Sequence, residues 1–156
     1  MKTKQTLREK AIEFLKKQQT AVISTVTASS EPQSAAITFI VDNEFNLYFV
    51  TRKNSRKFKN IMHDSRVSVV VGFDPENLST LQMQGRAEIL TANHLTIAAT
   101  LMKKAIEHKH NWWPLLKITG LDFVIVKVKI NWARWLNFDI AFSPEGYKED
   151  FHQVIP

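Results

Sequence analysis

Apolar positions along the chain begin with a helical spacing and then change to a period of two. Over residues 6–18 Leu7, Ala11, Phe14 and Leu15 share one face, and Thr6 with Glu9 makes a capping box, so an amphipathic helix is predicted to lie across a sheet. Residues 20–28 (TAVISTVTA) are rich in β-branched side chains and end in Ser29-Ser30-Glu31-Pro32, which reads as a strand and its turn. A second strand over 33–41, the polar Asp42-Asn43-Glu44 and a third strand over 46–51 predict a hairpin. From Ser55, SRKFKNIM places Phe58, Ile61 and Met62 at helical spacing, predicting a short helix with Ser55 as its cap.

Strands are predicted again over 66–73 and 81–90. A helix from Thr91 or Asn93 to His108 follows, with Leu95, Ala98, Ala99 and Met102 along its buried stripe. In the last strand Val124, Val126, Val128 and Ile130 point one way, while Phe123, Ile125, Lys127 and Lys129 point the other. Five or six mostly antiparallel strands with helices at a few joints predict a mainly β fold, a closed or nearly closed barrel with flanking α-helices. A doubly wound dinucleotide-binding sheet is excluded, because no GxGxxG follows the first strand.

A chain of 156 residues suits one domain spanning 1–156, and 44% hydrophobic with 23% charged residues argues against disorder. Cysteine is absent, which excludes disulfides and Cys-based metal sites and fits a reducing compartment. MKTKQTLREKAIEF lacks the apolar core of a signal peptide and no long apolar run follows, so a cytoplasmic protein without membrane contact is expected.

A net charge of +6 points to an anionic partner: nucleic acid, a phosphorylated cofactor or an acidic protein, unless the lysines simply solvate the surface. The most informative stretch runs from Tyr48 to Phe58, where a strand ends at Thr51 and a helix opens at Ser55. A helix start presents unpaired N–H groups and the positive end of its dipole. Thr51 and Ser55 add hydroxyls, Arg56 a planar fork and Lys57 a point charge, the groups that a phosphate monoester needs. The alternative is that Arg52, Lys53, Arg56, Lys57 and Lys59 form the solvated face of a surface helix.

No exposed aromatics interleave with the basic residues in an RNA-type motif, so no nucleic-acid partner is expected. His108 and His110 do not share a helix face and read as surface histidines, no metal site is expected, and Trp112-Trp113-Pro114 reads as the end of the preceding helix. No Ser-His-Asp or paired-carboxylate arrangement can be argued, which agrees with redox chemistry carried by a cofactor.

Four segments carry a family resemblance: TAVISTV; EPQSAAITFIVDNEFNLYFVT with the following SRK; SRVSVVV; and QGRAEIL. From about residue 20 to 137 the chain resembles the pyridoxamine 5′-phosphate oxidase-like, FMN-binding split-barrel superfamily, and in particular its small members grouped as general stress proteins. The resemblance implies an antiparallel, Greek-key-like split β-barrel and a homodimer with flavin mononucleotide (FMN) in the groove between subunits. Thr51, Ser55, Arg56 and Lys57 match the phosphate-holding positions. The strand backbone at Ala36, Ile37 and Thr38 matches the segment along the isoalloxazine ring, with Val50 beside it. A further flavin contact falls at Thr80 or, through a bulge, at Gln82. Trp132 or Trp135 matches an aromatic that covers the ring, with core or dimer packing as the alternative for each.

The implied function is an FMN-dependent oxidoreductase acting on a small molecule, with NAD(P)H as electron donor. A flavin-binding sensor or carrier without turnover, and a haem or F420 binder on the same fold, are the alternatives. True pyridoxamine-phosphate oxidases carry an arginine at the start of the flavin strand, a basic residue near its end and a C-terminal arginine-rich clamp. Here Ala35 and Ile40 or its neighbours occupy the strand positions and no arginine follows Arg134, so the substrate is expected to be something other than a pyridoxal or pyridoxamine phosphate.

Overall fold

The computed structural model describes residues 6–72, 79–91, 95–107, 122–137, 142–143, 146–147 and 151–156. It opens with helix α1 (Leu7–Lys17), and the capping box is formed: Thr6 Oγ1 accepts the Glu9 N–H at 3.2 Å while the Glu9 carboxylate accepts the Thr6 N–H at 2.8 Å. Both groups satisfy N–H donors that a helix start leaves without partners. The helix buries Ala11, Ile12 and Leu15 against the sheet.

The strands are β1 (Thr20–Val26), β2 (Pro32–Thr38), β3 (Ile40–Val41), β4 (Asn46–Arg52), β5 (Arg66–Val71), β6 (Thr80–Leu90) and β7 (Phe123–Leu136), a small pair β8 (Phe142–Ser143) and β9 (Gly146–Tyr147), and β10 (Phe151–Ile155). Helix α2 (Arg56–His63) joins β4 to β5, and α3 (Leu95–Glu107) follows β6. Ten strands therefore stand, among the described residues, where five or six were expected. Every pairing is antiparallel, and the main sheet runs β2-β1-β5-β6-β7-β4-β3, with β10 beside the far end of β7. The fold is mainly β, an antiparallel curled half-barrel with flanking helices.

The two ends of that sheet belong to one stretch of chain. β2 pairs with β1, β3 pairs with β4, and Phe39 alone separates β2 from β3. Phe39 is fully buried, so the bend is anchored in the core and the sheet curls back on itself. This corrects the expected hairpin: only Ile40 and Val41 pair with β4, because the body of the preceding strand belongs to β1. Between β2 and β4 the sheet is split, and among the described residues no strand pairs with the second edge of β2.

Alternate residues of each strand fill the interior. Ile23, Phe39, Leu47, Phe49, Val69, Val71, Leu81, Met83, Val126 and Val128 are all fully buried there, in the period-two pattern that a half-buried strand produces. On β7 the alternation predicted over 123–130 holds for Val126 and Val128, while Ile125 on the opposite face is also buried. The register then slips, since Gln84 faces Trp132 and Gly85 faces Ile130. Asn131 is the extra residue of a β-bulge, so Ala133 and Trp135 point inward beyond it. Gly85 is required there, because a Cβ would lie 2.3 Å from the Lys129 carbonyl oxygen.

The stripe predicted on α3 is shifted. Leu101 is fully buried and Ala99 is exposed, because the helix packs on β4 through the face that holds Ala98 and Leu101, three residues apart. The side chains of Leu95 and Met102, together with His108, His110 and Trp112-Trp113-Pro114, lie outside the described residues.

Candidate functional site

The strand end and the helix start read from the sequence are joined by one hydrogen bond. Thr51, only 4% exposed, places Oγ1 2.8 Å from Ser55 Oγ. Ser55 Oγ also accepts the Phe58 N–H at 3.2 Å, and so caps α2. A serine oxygen can accept two hydrogen bonds and donate one. With Thr51 as the donor, the Ser55 hydroxyl proton remains available next to the open first turn of α2.

Lys57 lies on the inner side of that turn. It shares a helix face with Asn60 and Ile61, both buried, and is itself half-buried. Burial pushes its ammonium below the ordinary lysine range, and no carboxylate pairs with it among the described residues. Arg56, the neighbouring cation, is exposed.

What holds α2 in place is a residue that the sequence reading passed over. Asn60 Nδ2 donates to Thr25 Oγ1 on β1 at 2.9 Å and to Gln33 Oε1 on β2 at 3.1 Å. The helix is thereby tied to the strands on the far side of the split from β4. A polar residue on the apolar stripe, between Lys57 and Ile61, was the available signal. Thr51, Ser55, Arg56 and Lys57 consequently lie at one end of the split, and the unpaired edge of β2 runs along it. On that strand Ala36 is exposed, Ile37 buried and Thr38 half-buried; Val50 is half-buried on β4.

The remaining predicted residues are elsewhere on the chain. Thr80, Gln82 and Trp132 face outward from β6 and β7. Thr80 Oγ1 donates to the Gly72 carbonyl at 3.1 Å, and Gln82 Oε1 accepts from Arg134 Nε at 2.8 Å. Thr51 stands opposite Val124 and Gln82 opposite Arg134, so the two lie ten positions apart along β7, roughly 30 Å at the usual strand rise. One chain does not bring them together.

Trp135 belongs to the interior. It is 5% exposed, its indole N–H donates to Ser79 Oγ at 2.7 Å, and its ring lies 5.4 Å from that of Phe14. The bulge at Asn131 is the reason: it turns Trp132 outward and Trp135 inward. Of the two alternatives for Trp135, packing in the core describes what the side chain does.

An open groove of about 400 Å³ indents the outer face one row from Gln82, lined by Ser24, Val26, Pro32, Arg66, Gln84 and Arg86 among others. Among the described residues no group of three or more His, Asp or Glu gathers as a metal site. No described helix is long and apolar enough to cross a membrane.

Residues 7–136 match the family model of pyridoxamine 5′-phosphate oxidase. The chain belongs to this family. Over 89 residues it is 32% identical to the 5a,11a-dehydrotetracycline/5a,11a-dehydrooxytetracycline reductase of Streptomyces rimosus, a match that covers 53% of this chain and 63% of the reductase. The matched stretch is thus less than two thirds of that relative.

Among solved structures the fold is similar to General Stress Protein 26 from Bacillus anthracis, with a TM-score of 0.67 and 21% identity over 94% of this chain and 98% of that one. It is also similar to a heme binding protein from Mycobacterium smegmatis, with a TM-score of 0.72 and 16% identity over 98% of this chain and 59% of the other. These likenesses place the chain on the family's split-barrel fold.

Proposed function

We propose that the protein is an FMN-dependent oxidoreductase that acts on a small molecule as a homodimer. The observation that carries this reading is Lys57: a half-buried cation that has no carboxylate partner among the described residues, beside a capped helix start and at the end of a strand edge that no described strand covers. An ammonium is desolvated at a cost unless an anion compensates it, and a terminal phosphate fits the donors gathered there. Arg56, Lys57, the Ser55 hydroxyl and the first N–H groups of α2 would hold that phosphate. The backbone groups of Ala36 and Thr38, which turn away from β1, would meet the polar edge of the flavin ring, with Ile37 between them paired to Ala21 and Val50 alongside. Bound FMN would supply the hydride and electron chemistry, and the protein supplies position and electrostatics.

The separation of roughly 30 Å along β7 supports the dimer. If Gln82, Thr80 and Trp132 contact the same ring as β2, they do so from a second copy of the chain. Ala35 and Ile40, in place of basic residues, favour a substrate other than a pyridoxal or pyridoxamine phosphate. The junction favours FMN over haem, because its clustered donors suit a single compact anion. A reductase among the relatives agrees with turnover, and NADH or NADPH is the proposed donor.

The test is the visible spectrum of the purified protein, followed by mass identification of its chromophore and by sedimentation. The reading expects FMN, a two-chain particle, loss of flavin in Arg56→Ala with Lys57→Ala, and saturable reduction by NADH or NADPH. A colourless protein that takes up no FMN on incubation would reject it, while bound FMN without saturable reduction would assign a carrier or sensor instead.

A further inference from the structure

We infer that Arg134 is a second anion-recognition point, which takes the carboxylate of a planar, aromatic small molecule. Its role in substrate choice rests on the redox reading above, whereas its binding of the anion stands on geometry of its own. The guanidinium is half-buried on the outer face of β7 and stacks 4.3 Å from the ring centre of Phe151 and 5.6 Å from that of Trp132. Its Nε donates to Gln82 Oε1 at 2.8 Å, which fixes the plane of the fork. Neither terminal amine has a hydrogen bond or ion pair among the described residues.

That arrangement differs from that of Arg66, on the outer face of β5. Arg66 is held by Asp64 through both Nε and Nη2, with contacts of 2.6 to 3.1 Å. Arg134 has a glutamine on either side, since its neighbours across the two ladders are Gln82 and Gln153. A carboxylate at either position would have neutralised it; the Gln82 amide orients it and leaves the charge unspent, while the Gln153 amide donates to the Ala133 and Ile155 carbonyls.

A planar fork whose two terminal amines have no partner among the described residues matches two carboxylate oxygens, and an aromatic body on the acid would extend the stacking begun by Phe151 and Trp132. Because Arg134 is tethered to Gln82, an acid bound there would lie next to whatever Gln82 contacts.

The test titrates benzoate and its neutral isostere benzamide into the purified protein by calorimetry, with Arg134→Lys as the variant that keeps the charge and loses the fork. Benzoate should bind roughly tenfold more tightly than benzamide, and Arg134→Lys should lose roughly tenfold in benzoate affinity, as expected for one charge-assisted hydrogen bond. Should the variant fold poorly, the Arg134 Nε–H resonance of the unaltered protein gives a second measurement: it should shift with benzoate and stay fixed with benzamide. Equal binding of the two probes, no benzoate binding, or an unmoved resonance overturns the inference. Flavin content is read separately. A colourless protein that takes benzoate through Arg134 would overturn only the redox reading, and a flavin-loaded protein that ignores benzoate would overturn only this one.

Discussion

Thr51 Oγ1 and Ser55 Oγ lie 2.8 Å apart, so the last inward-facing residue of β4 and the cap of α2 share one hydrogen bond. Ser55→Ala removes the partner of Thr51 and the acceptor of the Phe58 N–H together. The expected cost is about 1 kcal/mol of stability, as for other lost caps, and chemical denaturation measures it. FMN affinity should fall as well, by roughly tenfold for one charge-assisted hydrogen bond, read by quenching of flavin fluorescence.

Asn60 ties α2 to both β1 and β2, and Asn60→Leu leaves Thr25 Oγ1 and Gln33 Oε1 without their donor. A loss of roughly 1–3 kcal/mol is expected for unsatisfied buried acceptors. Hydrogen exchange should quicken throughout α2 while the core of β6 and β7 stays protected; exchange that quickens equally in all elements would contradict this local anchoring role.

Two glycines are required by their surroundings. Gly72 has φ of 97°, and a Cβ there would lie 2.1 Å from the Ser79 carbonyl oxygen, so Gly72→Ala is strained in backbone and in space. Gly85 has only the spatial conflict, 2.3 Å to the Lys129 oxygen at the bulge. Both alanine variants should lower the melting temperature, by an amount that corresponds to roughly 1–3 kcal/mol for Gly72→Ala. In Gly85→Ala the bulge must shift, and the hydrogen bond from Arg134 to Gln82 should weaken with it.

Lys57 makes stability depend on pH in a definite direction. Burial lowers its folded-state value below the ordinary 10.5, so between the two values the unfolded chain binds more protons. Stability therefore rises with pH through that window. Lys57→Met should remove this contribution and raise the stability of the flavin-free protein at neutral pH, while it weakens FMN retention. Thermal melts of the variant and the parent across alkaline pH, compared as a difference, measure it. A difference that does not change with pH would contradict the desolvation account.

Much of this was legible in the residues. The capping box of Thr6 and Glu9, the cap at Ser55 and the alternation of Val126 and Val128 are local patterns, and each appears where its spacing placed it. The phosphate-binding candidates lie within one short segment, so their grouping needed no knowledge of the fold. The hairpin of residues 33–51 misled because period two says which side chains share a face and nothing about which strand lies alongside. Trp135 admits two readings in the sequence for a related reason: one unpaired residue at Asn131 reverses the parity of all that follows on β7.

By itself, the amino-acid order determined the type of the main elements, because caps and apolar periodicity depend on residues a few positions apart, and its motifs pointed to the family to which the chain belongs. Tertiary structure alone decided that Phe39 joins the two ends of the sheet, that Asn60 reaches Thr25 and Gln33, and that Arg134 meets Gln82 and Phe151. Those relationships connect residues up to 52 positions apart. They arise when the sheet curls back on itself, and no local preference specifies them.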